Sequence, residues 1–398
     1  MVFTDEELAS VDPASEVESQ VLQAELPDLR GASVAVLVGS RGIACIVPVV
    51  RSLVASLRSR GAEPFIVPAM GSHGGATAVG QRQVLDEYEV NEQSVGAQIR
   101  SSMETVELDS TGLETRLFAD RNAWGADFVV PVNRVKAHTD FSGSHESGLL
   151  KMLAIGMGKQ DQALEQHNFG VRGLRDLVVP SATRLLESGK VLFGVAIVEN
   201  ARKKPARIGV IPSEDIVERE ASLLSLAKGL SPSLPCDSIA LLIVDELGKD
   251  KSGTGLDTNV IGRRYLPGED EPKEPNIEVI VVRRLSAASH GNAVGIGLAD
   301  IVLRELADSI DYQATYENII TSSFLERGKL PVVAATDADA LSIAARALHS
   351  SEISAIKAMH IESTLELETI GVSEALFDTV TASGRCRDLG RTYTYPDQ

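Results

Sequence analysis

The stretch Ser33-Val-Ala-Val-Leu-Val38-Gly39-Ser40-Arg41-Gly42-Ile43 decides the fold, because a short β-branched run breaks abruptly into a glycine-containing turn. Apolar residues at helical spacing follow from about Val47 to Ser59. The same order then returns, with Pro64-Phe-Ile-Val-Pro68 leading into Gly71-Ser72-His73-Gly74-Gly75 and a helix through Gln81–Tyr88. Strands alternating with helices in this way are typical of parallel βαβ units.

The rest of the chain keeps this rhythm. We predict further strands at 127–132, 191–198, 238–244, 277–282 and 331–335, and helices at 298–308 and 338–348. Turn formers between Gly229 and Pro235 interrupt the pattern, which divides the chain into two domains, 1–230 and 231–398. We therefore expect an α/β protein with two domains, mainly parallel sheets and a central cleft that both domains face.

Composition and charge limit the class of protein. At 398 residues and 43% hydrophobic content, the chain exceeds one ordinary core and can pack more than one domain. No apolar run approaches the roughly 20 residues needed to cross a bilayer, and the acidic N-terminus is unlike a secretory signal. The net charge of -18 would repel a nucleic-acid backbone. We expect neither a membrane nor a nucleic acid as partner. A homo-oligomer is compatible with the sequence.

The cysteines indicate the compartment. Cys45, Cys236 and Cys386 are odd in number and far apart in the sequence. They suggest neither a disulfide framework nor a Cys-x-x-Cys metal site, so we expect a reducing, cytoplasmic location.

Two turns offer groups that could bind a ligand. In Gly39-Ser40-Arg41-Gly42, backbone N–H groups at a helix start and the Arg41 guanidinium suit an anion, although a plain tight turn is the alternative. In Gly71-Ser72-His73-Gly74-Gly75, glycines let a ligand approach an imidazole that can act as acid or base near neutral pH. A flexible surface loop would explain the second turn equally simply.

A third polar stretch follows the strand at Phe128-Val-Val-Pro-Val132. It carries His138, with Lys136 close by, and ligands of open α/β sheets bind outside the carboxyl ends of the strands. His138 could therefore stand beside a substrate as an acid or base. We expect His145, further into a Ser- and Gly-rich loop, to be exposed, although it could take the place of His138. Two solvated loop histidines are the alternative.

Lys151 and His167 are the last candidates. Lys151 has apolar neighbours, so it is either a snorkelling side chain or a desolvated amine suited to covalent attachment. His167 shares a helical face with Ala163 and Leu164, so we expect it to point inward, as a core residue or a ligand. One continuous helix would place Lys151 and His167 on nearly opposite faces, but Gly156-Met157-Gly158 can break it and let them converge.

Together these segments resemble the lactate racemase family, whose members use a nickel-pincer nucleotide. The resemblance rests on the order and spacing of an Arg-containing turn, a histidine in a glycine-rich loop, a His-x-x-Phe-x-Gly segment, and a lysine followed by a histidine. In this chain they are Arg41, His73, His138-Thr-Asp-Phe141-Ser-Gly143, Lys151 and His167. A weaker match, Leu256-Asp257-Thr-Asn259, is similar to the family's Leu-Asp-x-Asn segment.

The resemblance implies a role for each residue in the racemisation of a small 2-hydroxy acid. Lys151 would tether the cofactor through a thioamide, and His167 would be the protein ligand to nickel. His73 and His138 would act as bases on opposite sides of the substrate, and Arg41 would orient its carboxylate. The remaining residues expected at the cofactor are Ser40, Gly71, Ser72 and Gly74.

The chain also departs from the family pattern on the substrate side. Gly74 stands where an arginine is common, and Ile261-Gly262-Arg263-Arg264 replaces a segment with glutamine and lysine. These changes favour a different 2-hydroxy acid, larger than lactate or dianionic. Two other classes stay open: a metal-dependent hydrolase or lyase that uses the same histidines, and a non-catalytic protein that binds an organic acid or nucleotide.

Overall fold

The structure is a computed structural model that describes residues 9–40, 42–267, 269–322 and 324–395. Its contacts divide the chain into two compact units, with the division between Ser231 and Pro232. Each unit is built on one large β-sheet in which most neighbouring strands run parallel. The predicted α/β class with mainly parallel sheets is confirmed.

The N-terminal unit contains one large sheet and one small strand pair. Its strands are β1 (Ser33–Val38), β2 (Glu63–Pro68), β3 (Thr105–Leu108), β4 (Leu117–Asp120), β5 (Phe128–Arg134), β6 (Phe193–Glu199) and β7 (Pro205–Pro212). The large sheet has the order β2-β1-β5-β6-β7 and is parallel except between β6 and β7. β3 and β4 form a separate antiparallel pair.

The order of the large sheet reverses beside β1. The chain passes from β1 to β2 on one side and later reaches β5 on the other. Val38 at the end of β1 pairs with Pro68 of β2 and Val132 of β5, so the turns after these three strands open at the same edge. In open α/β sheets such a reversal, at the carboxyl ends of the strands, is where ligands bind.

Helices cover both faces of this sheet, because residues of β1 alternate between two apolar cores. Ala35 and Leu37 belong to one core, and Val34 and Val36 belong to the other. The α-helices of this unit are α1 (Pro13–Gln23), α2 (Ile46–Ser59), α3 (Ala78–Glu87), α4 (Glu92–Val95), α5 (Arg121–Trp124), α6 (Leu149–Lys151), α7 (Lys159–His167), α8 (Gly170–Asp176), α9 (Val178–Glu187) and α10 (Ile216–Leu230). Single-turn 3-10 helices lie at Gly74–Ala76 and Ser213–Asp215, and a π-helical segment lies at Met152–Gly156.

The C-terminal unit has a sheet of order β11-β10-β9-β8-β12-β13, parallel except between β12 and β13. Its strands are β8 (Ser238–Leu247), β9 (Asn276–Leu285), β10 (Ile301–Leu303), β11 (Val332–Ala334), β12 (Ala358–Ile361) and β13 (Gly371–Val372). Its α-helices are α11 (Thr258–Ile261), α12 (Arg304–Asp308), α13 (Tyr312–Ser322), α14 (Asp337–Ala347) and α15 (Glu374–Ala382). Across the described ranges of both units, no helix combines the length and apolar character needed to cross a bilayer.

The predicted helix over 298–308 is wrong. A 3-10 turn at Ile296–Leu298 is followed by strand β10 and only then by the short helix α12. β10 is an apolar run that pairs in parallel with β9 on one side and β11 on the other. Pairing inside the sheet therefore decides the conformation of a segment whose apolar residues also fit helical spacing.

A buried ion pair lies beneath the edge of the N-terminal sheet. Lys159 and Asp120 are both fully buried, with Nζ and Oδ2 3.3 Å apart. The same ammonium donates hydrogen bonds to the Pro68 carbonyl and, at 2.9 Å, to Gln81 Oε1. Burial lowers the pKa of Lys159 and raises that of Asp120, while their mutual attraction opposes both shifts. Lys159 thus joins the end of β2 to β4 and α3.

We predict that Lys159→Met lowers the free energy of unfolding by about 3–5 kcal/mol, because Asp120 would stay buried without its cation. Chemical denaturation at pH 7 measures the loss. The double variant Lys159→Met/Asp120→Asn removes the stranded charge and can keep the side-chain bond that Asp120 accepts from the Ala123 N–H. It should recover most of the loss, and equal losses in the two variants would contradict this account.

A second buried carboxylate holds the helix that carries Lys151. Glu220 of α10 accepts hydrogen bonds from the backbone N–H groups of Leu149 and, at 3.1 Å, Leu150. The helix start fits tightly against it, since a Cβ added at Gly148 would lie 2.4 Å from Glu220 Cδ. Burial raises the pKa of Glu220 to about 7, although the two N–H groups favour its charged form.

This shift predicts a pH-dependent stability. The folded protein retains the Glu220 proton up to about pH 7, whereas the unfolded chain releases it near the ordinary value of 4.5. The contribution of Glu220 to folding therefore becomes less favourable as the pH rises between these values. The stability of Glu220→Gln relative to the wild type should increase from pH 5 to pH 8, by an amount on the order of 1–3 kcal/mol.

Denaturation curves at the two pH values measure this change. Glu218→Gln is the matched control, because Glu218 lies on the same helix but is exposed. A difference between Glu220→Gln and the wild type that stays constant with pH would show that Glu220 does not titrate in this window.

Candidate functional site

The turns after β1, β2 and β5 pack against the segment that carries Lys151. A Cβ added at Gly39, directly after β1, would lie 3.1 Å from Met152 Cε and 3.8 Å from Asn133 Oδ1. The Asn133 side chain at the end of β5 donates to the Gly148 carbonyl at 2.7 Å, which fixes the start of α6. The edge where the sheet order reverses is thus lined by the segments that the sequence singled out.

His73 pairs with Ser40 across this edge. Ser40 Oγ lies 2.5 Å from His73 Nδ1, which joins the turn after β1 to the loop after β2. A hydroxyl can either donate or accept, so this contact suits both neutral tautomers of the imidazole. His73 is exposed, and Ser72 beside it is also exposed.

Buried groups hold the His73 loop from below. Gln81 Nε2 donates to the carbonyls of Gly71 at 2.8 Å and His73 at 3.3 Å, and Gln81 Oε1 accepts from Lys159. The Gly71 N–H donates to the Gly156 carbonyl at 3.2 Å, which ties the loop to the π-helical segment. The exposed imidazole is therefore carried by a backbone that the core positions.

The backbone conformation of this loop requires glycine at two positions. Gly71 and Gly74 have φ of 61° and 66°, in the left-handed region. A Cβ at Gly74 would also lie 2.6 Å from the Gln81 backbone nitrogen. The sequence predicts that Gly71 and Gly74 bind a cofactor. The backbone requires glycine at both positions whether or not a ligand binds.

His138 is held by its backbone and by its ring. The His138 N–H donates to Glu146 Oε2 at 2.5 Å, and the buried Glu146 also accepts from the Gly143 N–H at 3.0 Å and pairs with Lys228 of α10 at 2.6 Å. The imidazole stacks on Phe141, with ring centroids 4.6 Å apart. Glu146 and Lys228 therefore fix a loop that would otherwise be free to move.

His138 and Lys151 are in direct contact. Lys151 Nζ lies 2.7 Å from His138 Nε2, and the Asp140 N–H donates to His138 Nδ1 at 3.0 Å. The loop that separates the two residues in sequence is closed by a pair of backbone hydrogen bonds between Lys136 and Ser147. Lys151 is half-buried, and the His138 side chain is 11% exposed.

His145 has a structural contact, and the expectation that it is exposed is wrong. Its side chain is half-buried, and Nε2 lies 2.7 Å from the Val217 carbonyl of α10, to which it can only donate. This bond turns His145 toward α10, whereas His138 contacts Lys151.

The break between Lys151 and His167 is confirmed, but the inward orientation of His167 is wrong. α6, the π-helical segment and α7 follow one another with a turn at Met157 and Gly158. His167 is exposed, because α7 buries Gln162, Ala163 and Gln166 instead. Nearby protein still desolvates the ring, and this lowers the pKa of His167. A charged Lys151 would lower it further, while Asp140 opposes the shift.

The remaining predicted residues are less informative. Arg41 lies outside the described residues. In the C-terminal unit, Asp257 caps α11 by accepting from the Asn259 N–H, and Arg263 is buried, with bonds to Asp300 at 2.8 Å and the Leu298 carbonyl at 2.9 Å. Arg263 therefore serves the packing of its own unit. In the described part of the chain, no group of three or more His, Cys, Asp or Glu side chains is arranged to hold a metal ion.

Sequence reasoning missed the residues that support the site. Glu146, Glu220, Lys159 and Gln81 are all buried and polar. Glu146 lies inside the loop already singled out, but nothing in its local sequence indicates that it is buried. Glu220 and Lys159 also carry no local signal, since their partners lie far away in the sequence, and the carbonyls that Gln81 holds belong to a loop 8 to 10 residues before it.

A second polar cluster lies near the carboxyl ends of β8, β9 and β12 in the C-terminal unit. His360 Nε2 lies 3.0 Å from Asp245 Oδ1, and His360 Nδ1 lies 2.8 Å from the Tyr393 hydroxyl. Arg283 joins Asp245 at 2.7 Å to Asp337 at 2.9 Å. Most of these charges are compensated within the cluster, and we assign it to the stability of that unit.

No protein-family model and no curated protein matches the sequence. Among solved structures, a protein from Thermotoga maritima determined by the Northeast Structural Genomics Consortium aligns with a TM-score of 0.48 and 13% identity over 86% of this chain and 92% of that chain. The lactate racemase apoprotein from Thermoanaerobacterium thermosaccharolyticum aligns with a TM-score of 0.55 and 12% identity, over 92% of this chain and 96% of that chain. At this identity the likeness shows the fold, and the chain therefore has an α/β fold similar to that of the lactate racemase apoprotein.

Proposed function

We propose that the chain is an isomerase, a racemase or epimerase of a 2-hydroxy acid that works with a nickel-pincer nucleotide in the cytoplasm. The observation that carries this proposal is the position of two pairs, Ser40 with His73 and His138 with Lys151, near the edge where the sheet order reverses. The fold likeness to a lactate racemase apoprotein supports the same reading. The three cysteines, none of them in a disulfide, agree with a reducing compartment.

The residues present fit the proposed cofactor. Lys151 offers a half-buried amine for a covalent bond, and His167 offers one exposed imidazole for nickel, beside the sulfur and carbon donors of the cofactor itself. Desolvation that lowers the pKa of His167 favours the unprotonated ring, which is the form that binds metals. When bound, this group supplies reversible acceptance of hydride from the α-carbon of the substrate.

The two other histidines handle protons on the substrate hydroxyl. His73 can take up a proton at Nε2 when its Nδ1–H donates to Ser40, and the hydroxyl of Ser40 also accommodates the opposite tautomer. His138 can carry a proton at Nε2, because its Nδ1 accepts from the Asp140 N–H at 3.0 Å. A reaction that runs in both directions needs two such groups, because each enantiomer presents its hydroxyl differently.

The proposed class of substrate rests on the positions at which the sequence departs from the lactate racemase pattern. Arg41 would orient the carboxylate, and glycine at 74 in place of a common arginine changes the substrate side of the site. We therefore propose a 2-hydroxy acid other than lactate, larger or dianionic. A small molecule is the proposed partner, with neither nucleic acid nor membrane.

Protein produced together with the cofactor-making enzymes should contain nickel and a mass adduct on Lys151. Lys151→Ala should lose the adduct, because no amine remains to form the thioamide. Metal analysis and intact-mass spectrometry measure both. Racemisation is measured by loss of optical rotation across a panel of 2-hydroxy acids. Activity in protein that contains neither nickel nor the adduct would contradict the proposal and favour a hydrolase, a lyase or another mechanism.

His73→Ala and His138→Ala should keep nickel while racemisation falls by about 10²–10⁴-fold, the usual contribution of a general acid or base. His145→Gln is the matched control, because an amide can also donate to the Val217 carbonyl, and its rate should stay within about twofold of the wild type. Full activity in either alanine variant would remove that histidine from the mechanism.

A further inference from the structure

We propose that, in the chain without cofactor, Lys151 is an uncharged amine that forms a Schiff base with small, unhindered carbonyl compounds. This activity needs neither nickel nor a 2-hydroxy acid, so it stands apart from the proposed racemase function. It is carried by the hydrogen-bond geometry around His138.

The backbone fixes where His138 carries its proton. The Asp140 N–H points at Nδ1 at 3.0 Å, so Nδ1 must be the unprotonated nitrogen of the ring. A neutral imidazole then carries its hydrogen on Nε2, the atom that faces Lys151 Nζ at 2.7 Å. Two donors cannot share one hydrogen bond, and an ammonium has no lone pair to accept with. The contact is satisfied when Lys151 is a neutral amine that accepts the Nε2–H.

Apolar residues flank Lys151. Leu150, Met152 and Leu153, the neighbours of Lys151 in sequence, are buried. His138 is itself held, since its N–H is bonded to Glu146 and its ring stacks on Phe141. The ring therefore cannot turn away easily to make room for a charged lysine. A lysine kept neutral in this way is a nucleophile, whereas an ammonium is not.

The chemistry can be completed with groups already in contact. The hydrogen bond between His138 Nε2 and Lys151 Nζ opens, and the lone pair that it releases bonds to the carbonyl carbon as the π electrons move to oxygen. Nε2 gives its proton to this oxygen while it takes one proton from the new C–NH₂⁺ centre, so His138 ends in its starting form. The carbinolamine loses its hydroxyl with one proton as water, and the C=N bond forms. Amine and carbonyl give imine and water, and no oxidant or reductant is needed.

The same geometry limits the carbonyl compound. Its oxygen must reach His138 Nε2 while its carbon reaches Lys151 Nζ, and the His138 side chain is only 11% exposed. An unhindered carbonyl fits this space better than a ketone with two large substituents. Glyoxylate, the smallest 2-oxo acid, is therefore the probe.

The full-length protein is produced without the cofactor-making enzymes and incubated with glyoxylate and sodium cyanoborohydride, which reduces an imine to a stable secondary amine. Peptide mass spectrometry then gives the extent of modification at each lysine. Lys203, which is exposed, is the internal reference in the same sample. A solvent-exposed lysine of ordinary pKa, about 10.4, is neutral in roughly one molecule in 2,500 at pH 7. We expect Lys151 to react at least about tenfold faster than Lys203 at pH 7.

The pH dependence of the modification ratio shows whether Lys151 reacts faster because its amine is neutral or only because it is accessible. Between pH 7 and pH 9 an ordinary lysine gains about tenfold in neutral amine per pH unit, so the ratio of Lys151 to Lys203 modification should fall steeply. In folded His138→Ala, which lacks the Nε2–H, the ratio at pH 7 should drop toward one. If that variant does not fold, the wild-type ratio and its pH profile decide.

A ratio near one at pH 7, or a ratio that stays constant from pH 7 to pH 9, overturns the proposal. Neither result bears on the racemase function, which is measured by nickel content and racemisation of the loaded protein. Lys151→Arg, which offers no primary amine, checks the assignment of the modified peptide.

Discussion

The buried ammonium of Lys159 is the interaction on which the site depends. It contacts the end of β2 through the Pro68 carbonyl, β4 through Asp120 and α3 through Gln81. Gln81 in turn donates hydrogen bonds to two carbonyls of the loop that carries His73. Lys159 also has a φ of 56°, in a region that costs a non-glycine residue energy. An exposed histidine can thus be held by a charge that never meets solvent.

Helix α10 plays a similar part for Lys151 and His138. Its Glu220 holds the helix that carries Lys151, and its Lys228 pairs with Glu146, which fixes the backbone of His138. The backbones that carry the two functional side chains, whose atoms meet at 2.7 Å, are therefore both held by one further helix. Because Glu220 and Lys228 lie on one continuous helix, the two anchors keep a fixed distance from each other.

How far the sequence predicts this protein depends on whether the signal is local. β1 and α2 were predicted to within a residue, because β-branched runs, glycine turns and helical spacing act over a few positions. The sequence predicts a helix where β10 lies, because the conformation of this segment depends on pairing with strands that are distant in the sequence. His167 was expected to be inward because of Leu164, yet Leu164 is itself 57% exposed. The contact of His138 with Lys151 depends on α10, which no local pattern reveals.

The π-helical segment between Lys151 and His167 gives the site a way to change during evolution. Such a segment holds more residues per turn than an α-helix, so its conversion to α-helix would accommodate the loss of one residue. One residue corresponds to about 100° of rotation in an α-helix. A deletion in a plain α-helix would rotate Lys151 by this angle relative to His167, whereas a deletion within Met152–Gly156 can be absorbed by the wide turn itself. The segment therefore lets the number of residues between the two groups change in one genetic step while their relative orientation and both flanking helices are kept.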